Sequence, residues 1–228
     1  MSISITCVDA LNYIPTIKAI NSTIRCIPVD KIYWFSDIPY PSKSNIEVQW
    51  IEIDRFEKYT EEYNYILLKL CPKVVETDYN IIIHSDGYAV NKDAWTNEFL
   101  IYDYIGAQWP WHHNNKVGNG GFCLRSKKLY EALIHLNVPW KLDQFDSSIQ
   151  NDSTKYVIDA FHDKVIPEDN IICRIYREVL ENEYNIKFAS EDIADRFSIE
   201  HNLSSNWLGK SLGFHGKHGV AKHYNVEL

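Results

Sequence analysis

The chain has 228 residues, of which 45% are hydrophobic and 24% are charged, and its formal net charge is −8 at pH 7. A chain of this length can bury a substantial core without disulfides or structural metals. The negative charge argues against a protein that binds duplex nucleic acid, which needs a basic face to offset the phosphate charge.

Cysteine usage and hydropathy bear on the compartment. The five cysteines are odd in number and no two have C-x-x-C spacing, which predicts free thiols rather than a disulfide framework or a zinc site. The stretch "MSISITCVDA" lacks the basic and apolar regions of a signal peptide. No apolar run approaches the roughly 20 residues that a membrane span needs. We therefore expect a cytoplasmic protein without a transmembrane segment.

The first part of the chain alternates strands and helices. A helix is predicted over 13–24, and a second over 60–76, with Thr60 as its cap and Pro72 as a kink or an end. The predicted strands, which are β-branched or alternate polar and apolar residues, cover 2–9, 31–37, 46–53 and 80–85. This order predicts an α/β fold with a mostly parallel central sheet flanked by helices.

The second part of the chain has a less regular pattern. Helices are predicted over 126–136 and 167–184, and the segment 93–109 contains a short helix and the strand-like "YDYIGA". Residues 141–155 are polar and are predicted to form a loop. Residues 186–228 show short pieces with little regular pattern, so we expect an irregular C-terminal segment.

One apolar strand ends in polar residues, in "IIIHSDGYAVN" (81–91). Ligands of open α/β sheets bind beyond the carboxyl ends of the strands, so Asp86 is a candidate to hold a divalent cation or a ribose. Gly87 would allow a close approach of backbone or ligand. A turn-capping role for Asp86 is equally open. His84 falls on the same side as Asp86 if strand alternation continues, either as a ligand or as a buried structural histidine.

Eight short blocks follow one another between residues 63 and 219. They are "YNYILLKL" (63–70), "IIIHSDGYAVN" (81–91), "YDYIGAQWPW" (102–111), "VGNGGFCLRSKKL" (117–129), "PEDNIIC" (167–173), "FA" (188–189), "FSIE" (197–200) and "GFHGKHG" (213–219). In this order they resemble the GT-A glycosyltransferases, a Rossmann-like fold that binds nucleotide-sugars. More narrowly, they resemble a little-characterised bacterial and viral GT-A-like family that is filed as a domain of unknown function.

The resemblance implies one GT-A domain over 1–228, with a nucleotide-binding half (1–91) and an acceptor-binding half (92–228). It implies a hexosyltransferase-like enzyme that moves a sugar from a nucleotide-diphosphate sugar, with UDP as the expected nucleotide, to a hydroxyl of a glycan, lipid or protein. Mn²⁺ or Mg²⁺ is the expected cofactor. Many relatives carry Asp-x-Asp where this chain has "HSD" (84–86).

Two other functions remain open, because this chain lacks the Asp-x-Asp of many glycosyltransferases. A non-catalytic nucleotide-sugar or glycan binder is the alternative, since one metal-binding acid is missing. A nucleotidyltransferase ranks last, because "SITCVDALNY" lacks a basic, glycine-rich phosphate loop.

The resemblance assigns cofactor and donor contacts to acids, a histidine and a lysine. Asp86 and His215 are the expected metal ligands, and Lys217 is expected to meet the diphosphate, because imidazole suits Mn²⁺ and an ammonium suits phosphates. Asp9 and Asp37, at the ends of the first two strands, are expected to hold the nucleotide. Turn capping by both aspartates, and a mobile glycine-rich tail at "GFHGKHG", are the plain alternatives.

The acidic pair in "PEDNIIC" is the expected source of the catalytic base. Asp169 is the first choice and Glu168 the second, since inverting enzymes need a group that deprotonates the acceptor hydroxyl. Two acids at a helix start also simply favour the helix dipole. Retaining chemistry, which needs no such base, remains open.

Contacts to the substrate are expected from the aromatic loop "WPWHHNN" (109–115) and from the glycine-rich strand entry "VGNGGFCLRS" (117–126). Glycines let the backbone approach a ligand, although a hairpin turn has the same pattern, and the tryptophans could equally pack in the core. Arg125 could contact phosphate or lie on the surface. The expected substrate contacts are Trp109, Trp111, Asn119, Gly120, Gly121 and Arg125.

Overall fold

A computed structural model of the chain describes residues 1–56, 61–145, 152–161, 165–201, 205–216 and 219–226. The strands are β1 (Ile3–Val8), β2 (Lys31–Ser36), β3 (Glu47–Glu52), β4 (Tyr79–Ile83), β5 (Gly87–Ala89), β6 (Tyr104–Ile105), β7 (Phe122–Ser126), β8 (Ser198–Ile199) and β9 (Gly213–His215). The α-helices are α1 (Tyr13–Cys26), α2 (Glu61–Tyr65), α3 (Cys71–Val74), α4 (Lys127–His135), α5 (Asp152–Phe161), α6 (Glu168–Asn170), α7 (Arg177–Tyr184) and α8 (Glu191–Phe197). Short 3₁₀ helices cover Lys92–Ala94, Asn97–Ile101, Leu142–Gln144 and Ala221–Tyr224, and π-helical turns cover Ile66–Leu70 and Ile171–Ile175.

Six strands form the central sheet in the order β3-β2-β1-β4-β7-β6. The first four are parallel to their neighbours, whereas β7 runs antiparallel to β4 and to β6. The predicted α/β fold with a mostly parallel central sheet is therefore confirmed. Every residue of β1 is buried, as expected for a parallel strand that is covered on both faces.

The core has two layers because successive strand residues point to opposite faces of the sheet. On one face, Ile5 and Ile32 pack with residues of α1, α8 and the short strands near the C-terminus. On the other face, Tyr33 and Ile82 pack with residues of α4, α7 and the π turn at Ile66–Leu70. The carboxyl edge of the parallel strands lies between these layers and is the edge at which ligands bind in such sheets.

The helix predicted over 60–76 has the expected position but is not continuous. A π turn separates α2 from α3, and the N–H of Cys71 donates to the carbonyl of Ile66, five residues earlier. Pro72 follows directly and has no N–H to donate to the carbonyl four residues earlier, so an interruption of the α-helix is expected at this point. Thr60, the predicted cap, lies outside the described residues.

The helix predicted over 167–184 is interrupted in the same way. The π turn at Ile171–Ile175 separates α6 from α7, and the N–H of Tyr176 donates to the carbonyl of Ile171 at 3.0 Å. Single π turns are frequent at functional sites. This one begins at Ile171, two residues after Asp169 of the acidic pair in α6.

One segment was predicted incorrectly. The loop predicted over 141–155 is wrong at its end, because α5 begins at Asp152; the buried apolar residue of this helix, Val157, lies beyond the polar segment. Residues 186–228 contain short elements, as expected: α8, and the strands β8 and β9, which form a second sheet with β5 in the order β5-β9-β8. Its strands are two or three residues long, too short for a periodic pattern.

The cysteine prediction is confirmed, since all five are free thiols and all but Cys26 are buried. Among the described residues, no helix combines the length and the apolar character that a membrane crossing needs.

Candidate functional site

A tight turn joins β4 to β5 and presents Asp86. The N–H of His84 donates to the carbonyl of Gly87 at 2.9 Å, and the N–H of Gly87 donates back to the carbonyl of His84 at 3.2 Å. Ser85 and Asp86 form the tip of this turn, beyond the carboxyl end of β4. Asp86 therefore occupies a turn and, at the same time, the ligand-binding edge of the sheet.

Pairing between β5 and β9 brings His215 to Asp86. Gly87 lies opposite His215 in this antiparallel pair, and Nε2 of His215 lies 3.6 Å from Oδ1 of Asp86. On its other side, Nδ1 of His215 lies 3.0 Å from Oε1 of Glu200, which follows β8. The imidazole of His215 is 3% exposed, so it lies between two carboxylates in a largely water-free position.

The electrostatics around His215 favour a cation. Burial opposes its charged form, but the carboxylates of Asp86 and Glu200 outweigh burial and raise the pKa of His215 to about 9. Although Glu200 is near, neither ring nitrogen has an aligned hydrogen-bond partner within the described ranges. An arrangement of charge that retains a proton at this position also favours a divalent ion.

His84 completes a group of three metal-ligand side chains. One ligand atom from each of His84, Asp86 and His215 lies within 4.8 Å of the others, and the two imidazole centroids are 5.7 Å apart. The hydroxyl of Tyr63 is hydrogen-bonded to Nε2 of His84. Two imidazoles and a carboxylate form a donor set that fits a divalent metal ion.

The glycine-rich entry to β7 packs directly against this group. A Cβ on Gly121 would come within 2.4 Å of Nε2 of His215, and a Cβ on Gly120 within 2.6 Å of Oε1 of Glu168. The side-chain oxygen of Asn119 accepts from the N–H of Gly121 at 3.1 Å. The two glycines therefore allow the loop to lie between the histidine and the acidic helix start.

Glu168 and Asp169 have different partners. Oε1 of Glu168 accepts from Nη2 of Arg125 at 2.8 Å, and both side chains are buried. Oδ2 of Asp169 accepts from the N–H of Gly120 at 2.9 Å. Arg125 thus lies behind Glu168 in a buried ion pair, and not on the surface.

The environment of Asp169 makes it harder to ionise. Burial first, and then the neighbouring charge of Glu168, raise the pKa of Asp169 to about 7. The N–H of Gly120 opposes this shift by stabilising the carboxylate. A carboxyl group that titrates near neutral pH can accept a proton during a reaction and release it afterwards.

Most of these residues line one cleft of about 330 Å³, although Asp86 and Arg125 do not. Trp109 is 3% exposed and belongs to its wall, whereas Trp111 is 53% exposed at the rim, where its ring centroid lies 4.9 Å from that of His201. The lining residues include Tyr63, His84, Trp109, Trp111, Asn119, Gly120, Gly121, Glu168, Asp169, Glu200 and His215.

The sequence profile described as "Protein of unknown function (DUF5672)" matches residues 45–215. The chain belongs to the DUF5672 family. No curated protein matches the sequence. The family assignment agrees with the resemblance to a domain of unknown function and does not itself name an activity.

Solved structures show which fold this DUF5672 protein has. A glycosyltransferase involved in the glycosylation of the major capsid of PBCV-1 is 13% identical, with a TM-score of 0.53, over 99% of this chain and 98% of that chain. The apo-form glycosyltransferase GlyE of Streptococcus pneumoniae TIGR4 is 14% identical, with a TM-score of 0.46. The match covers 85% of this chain but only 46% of GlyE. The predicted Rossmann-like, GT-A-type fold is confirmed by the first of these structures.

Two predicted nucleotide contacts of the DUF5672 protein lie elsewhere on the carboxyl edge. Asp9 follows β1, and its Oδ1 accepts from the N–H groups of Leu11 (2.8 Å) and Asn12 (3.0 Å) before α1. Asp37 follows β2, and its Oδ1 accepts from the hydroxyl of Tyr13 at 2.6 Å. Neither carboxylate lines the cleft. Lys217 lies outside the described residues.

Glu200 and Tyr63 are site residues that the sequence analysis did not single out. Glu200 ends the block "FSIE" and follows strand β8, just as Asp86 comes after strand β4. That signal could have identified Glu200. No sequence signal identifies Tyr63, because a tyrosine on the apolar face of a helix is typical of any core.

Proposed function

We propose that this DUF5672 protein is a glycosyltransferase that transfers a sugar, a hexose, from a nucleoside-diphosphate sugar to a hydroxyl group. The donor nucleotide is UDP, and the acceptor is a glycan, lipid or protein. One observation carries the proposal: His215, 3.6 Å from Asp86, lines the same cleft as Asp169. The residues proposed for a cation site and for a proton acceptor therefore meet at the carboxyl edge of the sheet.

Asp86 and His215, together with His84, would hold Mn²⁺ or Mg²⁺. When bound, such an ion supplies positive charge next to the diphosphate and stabilises the leaving group. Lys217, two residues after His215, is proposed to add a second positive charge. The nucleotide is proposed to extend toward Asp9 and Asp37 along the same edge of the sheet.

Asp169 is proposed to act as the base of an inverting displacement. Its carboxylate takes the proton of the acceptor hydroxyl while that oxygen forms a bond to the anomeric carbon. The bond from the anomeric carbon to the diphosphate oxygen breaks, and its electron pair leaves with the nucleoside diphosphate. A pKa of about 7 suits this role, because the base must be ionised before the reaction and protonated after it.

Glu168 is proposed to position its neighbour rather than to react. Its carboxylate is held by Arg125 in a buried pair, and a charge-assisted bond of this kind fixes its orientation. The negative charge of Glu168 is one reason why the pKa of Asp169 is raised.

Contacts to the sugars are proposed for the rim and the glycine loop. Trp111 exposes 53% of its surface at the cleft, and a flat apolar ring face suits a sugar ring. Asn119, Gly120 and Gly121 bring backbone close to the cleft, where sugar hydroxyls can approach. Trp109 would act as the wall behind them.

The test is nucleotide release from a panel of UDP-, GDP- and ADP-sugars, with and without EDTA. We expect turnover with at least one donor, and loss of that turnover in Asp86→Ala. Donor binding by calorimetry without any transfer would favour a non-catalytic binder instead. Absence of both turnover and binding across the panel would refute the proposal.

A further inference from the structure

The aromatic loop is held at its two ends by backbone pairing. Gln108 and Val117 form an antiparallel bridge. Within that bridge, the N–H of Trp109 donates to the carbonyl of Lys116 at 2.8 Å. These contacts fix the ends of the loop, whereas its tip, which carries Trp111 to the rim of the cleft, must be held by other groups.

A buried arginine holds this tip. Arg174 belongs to the π turn at Ile171–Ile175. Its Nη1 donates to the carbonyls of Asn114 at 2.7 Å and Asn115 at 3.2 Å, and its Nη2 donates to Oδ1 of Asn114 at 3.4 Å. Asn115 has a φ of 47°, a left-handed conformation that is uncommon outside glycine. The planar guanidinium, with its donors in a fixed fork, suits two carbonyls of such a turn.

Aromatic rings pack around the tip next to this arginine. The ring centroid of His112 lies 6.0 Å from that of Trp111 and 5.7 Å from that of Tyr156 on α5. Burial first, and then the charge of Arg174, lower the pKa of His112 to about 4, so this ring is uncharged at neutral pH. On its other side, Trp111 meets the ring of His201. The position of Trp111 therefore depends on the tip as a whole.

We propose that Arg174 is a positioning residue for sugar binding, which holds the tip of the aromatic loop so that Trp111 stays at the rim of the cleft. The inference rests on the proposed function and adds a residue that lies outside the cleft lining and acts through Trp111. Arg174 and the proposed base Asp169 are five residues apart in one continuous helical segment. The segment thus fixes the sugar contact relative to the base, and such fixed placement of a substrate supports catalysis.

The first measurement needs no substrate. Hydrogen–deuterium exchange of the full chain, read on peptides that cover 108–117, reports how often the loop opens. Arg174→Met keeps a long side chain but removes every donor. We expect exchange in these peptides to rise by about tenfold or more, because hydrogen bonds from a charged donor are lost. Peptides of the central sheet should keep their wild-type rates.

Arg196→Met is the matched control. Arg196 lies on α8, where its Nη1 is 2.7 Å from Oε2 of Glu98 and its guanidinium is 5.8 Å from the ring centroid of Trp207. It is therefore another partly buried arginine beside a tryptophan, and it lies outside the cleft lining. Its substitution should leave both exchange in 108–117 and turnover at wild-type levels.

The second measurement uses the donor that supports turnover. Arg174→Met should raise KM for the sugar substrate by about tenfold, with a smaller change in kcat, as expected for a lost binding contact. In a Trp111→Ala background, the same substitution should add little, because the arginine acts through the tryptophan. A merely structural role of Arg174 would give additive effects in this double-mutant cycle.

A second variant keeps the test valid if Arg174→Met does not fold, as judged by circular dichroism. Arg174→Lys keeps the charge but lacks the fork of donors, and it should also raise exchange in 108–117. Wild-type exchange in a folded Arg174 variant would overturn the inference. Additive effects on KM, or a wild-type KM for donor and acceptor in such a variant, would overturn it as well, even with transfer confirmed. Faster exchange of the loop without turnover from any donor would support the anchoring role of Arg174 and count against the glycosyltransferase.

Discussion

Gly121 lies against the imidazole of His215. A Cβ on Gly121 would stand 2.4 Å from both Nε2 and Cε1 of that ring, well inside van der Waals contact. Nε2 is also the atom that lies 3.6 Å from Asp86. The glycine therefore leaves room for the histidine in the position from which it meets the carboxylate.

The first prediction concerns this contact. In Gly121→Ala the added methyl group would overlap the ring of His215. The ring must therefore leave its position between Asp86 and Glu200. We expect Mn²⁺ affinity to fall by about tenfold or more, as measured by calorimetry.

Gly118→Ala is the control for crowding alone. A Cβ on Gly118 would come within 2.2 Å of the Trp109 ring, at the other end of the loop. That variant should lose stability yet retain its affinity for Mn²⁺. Wild-type ion affinity in Gly121→Ala would contradict the geometry described for His215.

The second prediction separates base catalysis from helix capping. Asp169→Asn keeps the shape of the side chain and an oxygen that can accept from Gly120, but it cannot take a proton. We expect kcat to fall by about 10²- to 10⁴-fold while the affinity for donor stays near that of wild type. A helix-capping role alone would cost at most about 1–2 kcal/mol of stability and leave turnover intact.

Asp195→Asn is a matched control, because Asp195 is another acid whose burial raises its pKa. It lies on α8, where it accepts from Gln108 and Ser205, and it does not line the cleft. Its turnover should remain near wild type. A similar loss of kcat in both variants would indicate a general effect on folding.

The site and the fold differed in how far the sequence alone could predict them. Runs such as "IIIHSDG" predicted a buried strand and its polar end, because burial and strand alternation are local properties. The second sheet depends on pairing of Gly87 with His215, which are far apart in sequence and have short strands around them. No local pattern reports such a contact.

The buried ion pair of Arg125 could not be predicted from local sequence either. Its place in the apolar strand β7 is consistent with a buried or an edge residue, and only its partner decides between them. That partner, Glu168, lies 43 residues away. The pair of acids could be found from "PEDNIIC", whereas the different environments of its two members could not.

The third prediction concerns pH. The pKa of Asp169 is raised, so the stability that its neutral form contributes is present at low pH and is lost as the pH rises through about 7. Turnover should show the opposite trend and rise through the same range, because the base must be ionised. A pH–rate profile and melting temperatures at matched pH values measure both trends.

Glu168→Gln should move that profile. It removes the negative charge that raises the pKa of Asp169, and it leaves the charge of Arg125 without a carboxylate, which also favours ionised Asp169. The acidic limb should shift to lower pH. A limb that stays in place would mean that a group other than Asp169 controls it.

The fourth prediction compares the two tryptophans of the aromatic loop. Trp109 is 3% exposed and contacts Gly118, whereas Trp111 is 53% exposed at the rim of the cleft. Trp109→Ala should cost about 3–5 kcal/mol of unfolding free energy, since a large buried side chain is removed. Trp111→Ala should leave the melting temperature almost unchanged and raise KM for a sugar substrate by about tenfold, if its ring stacks on that sugar.

Trp50→Ala is the control, because this half-exposed tryptophan lies on edge strand β3 outside the cleft lining. An unchanged KM in Trp111→Ala for donor and acceptor alike would remove Trp111 from the substrate contacts, because a ring that binds a sugar cannot be deleted without a change in affinity.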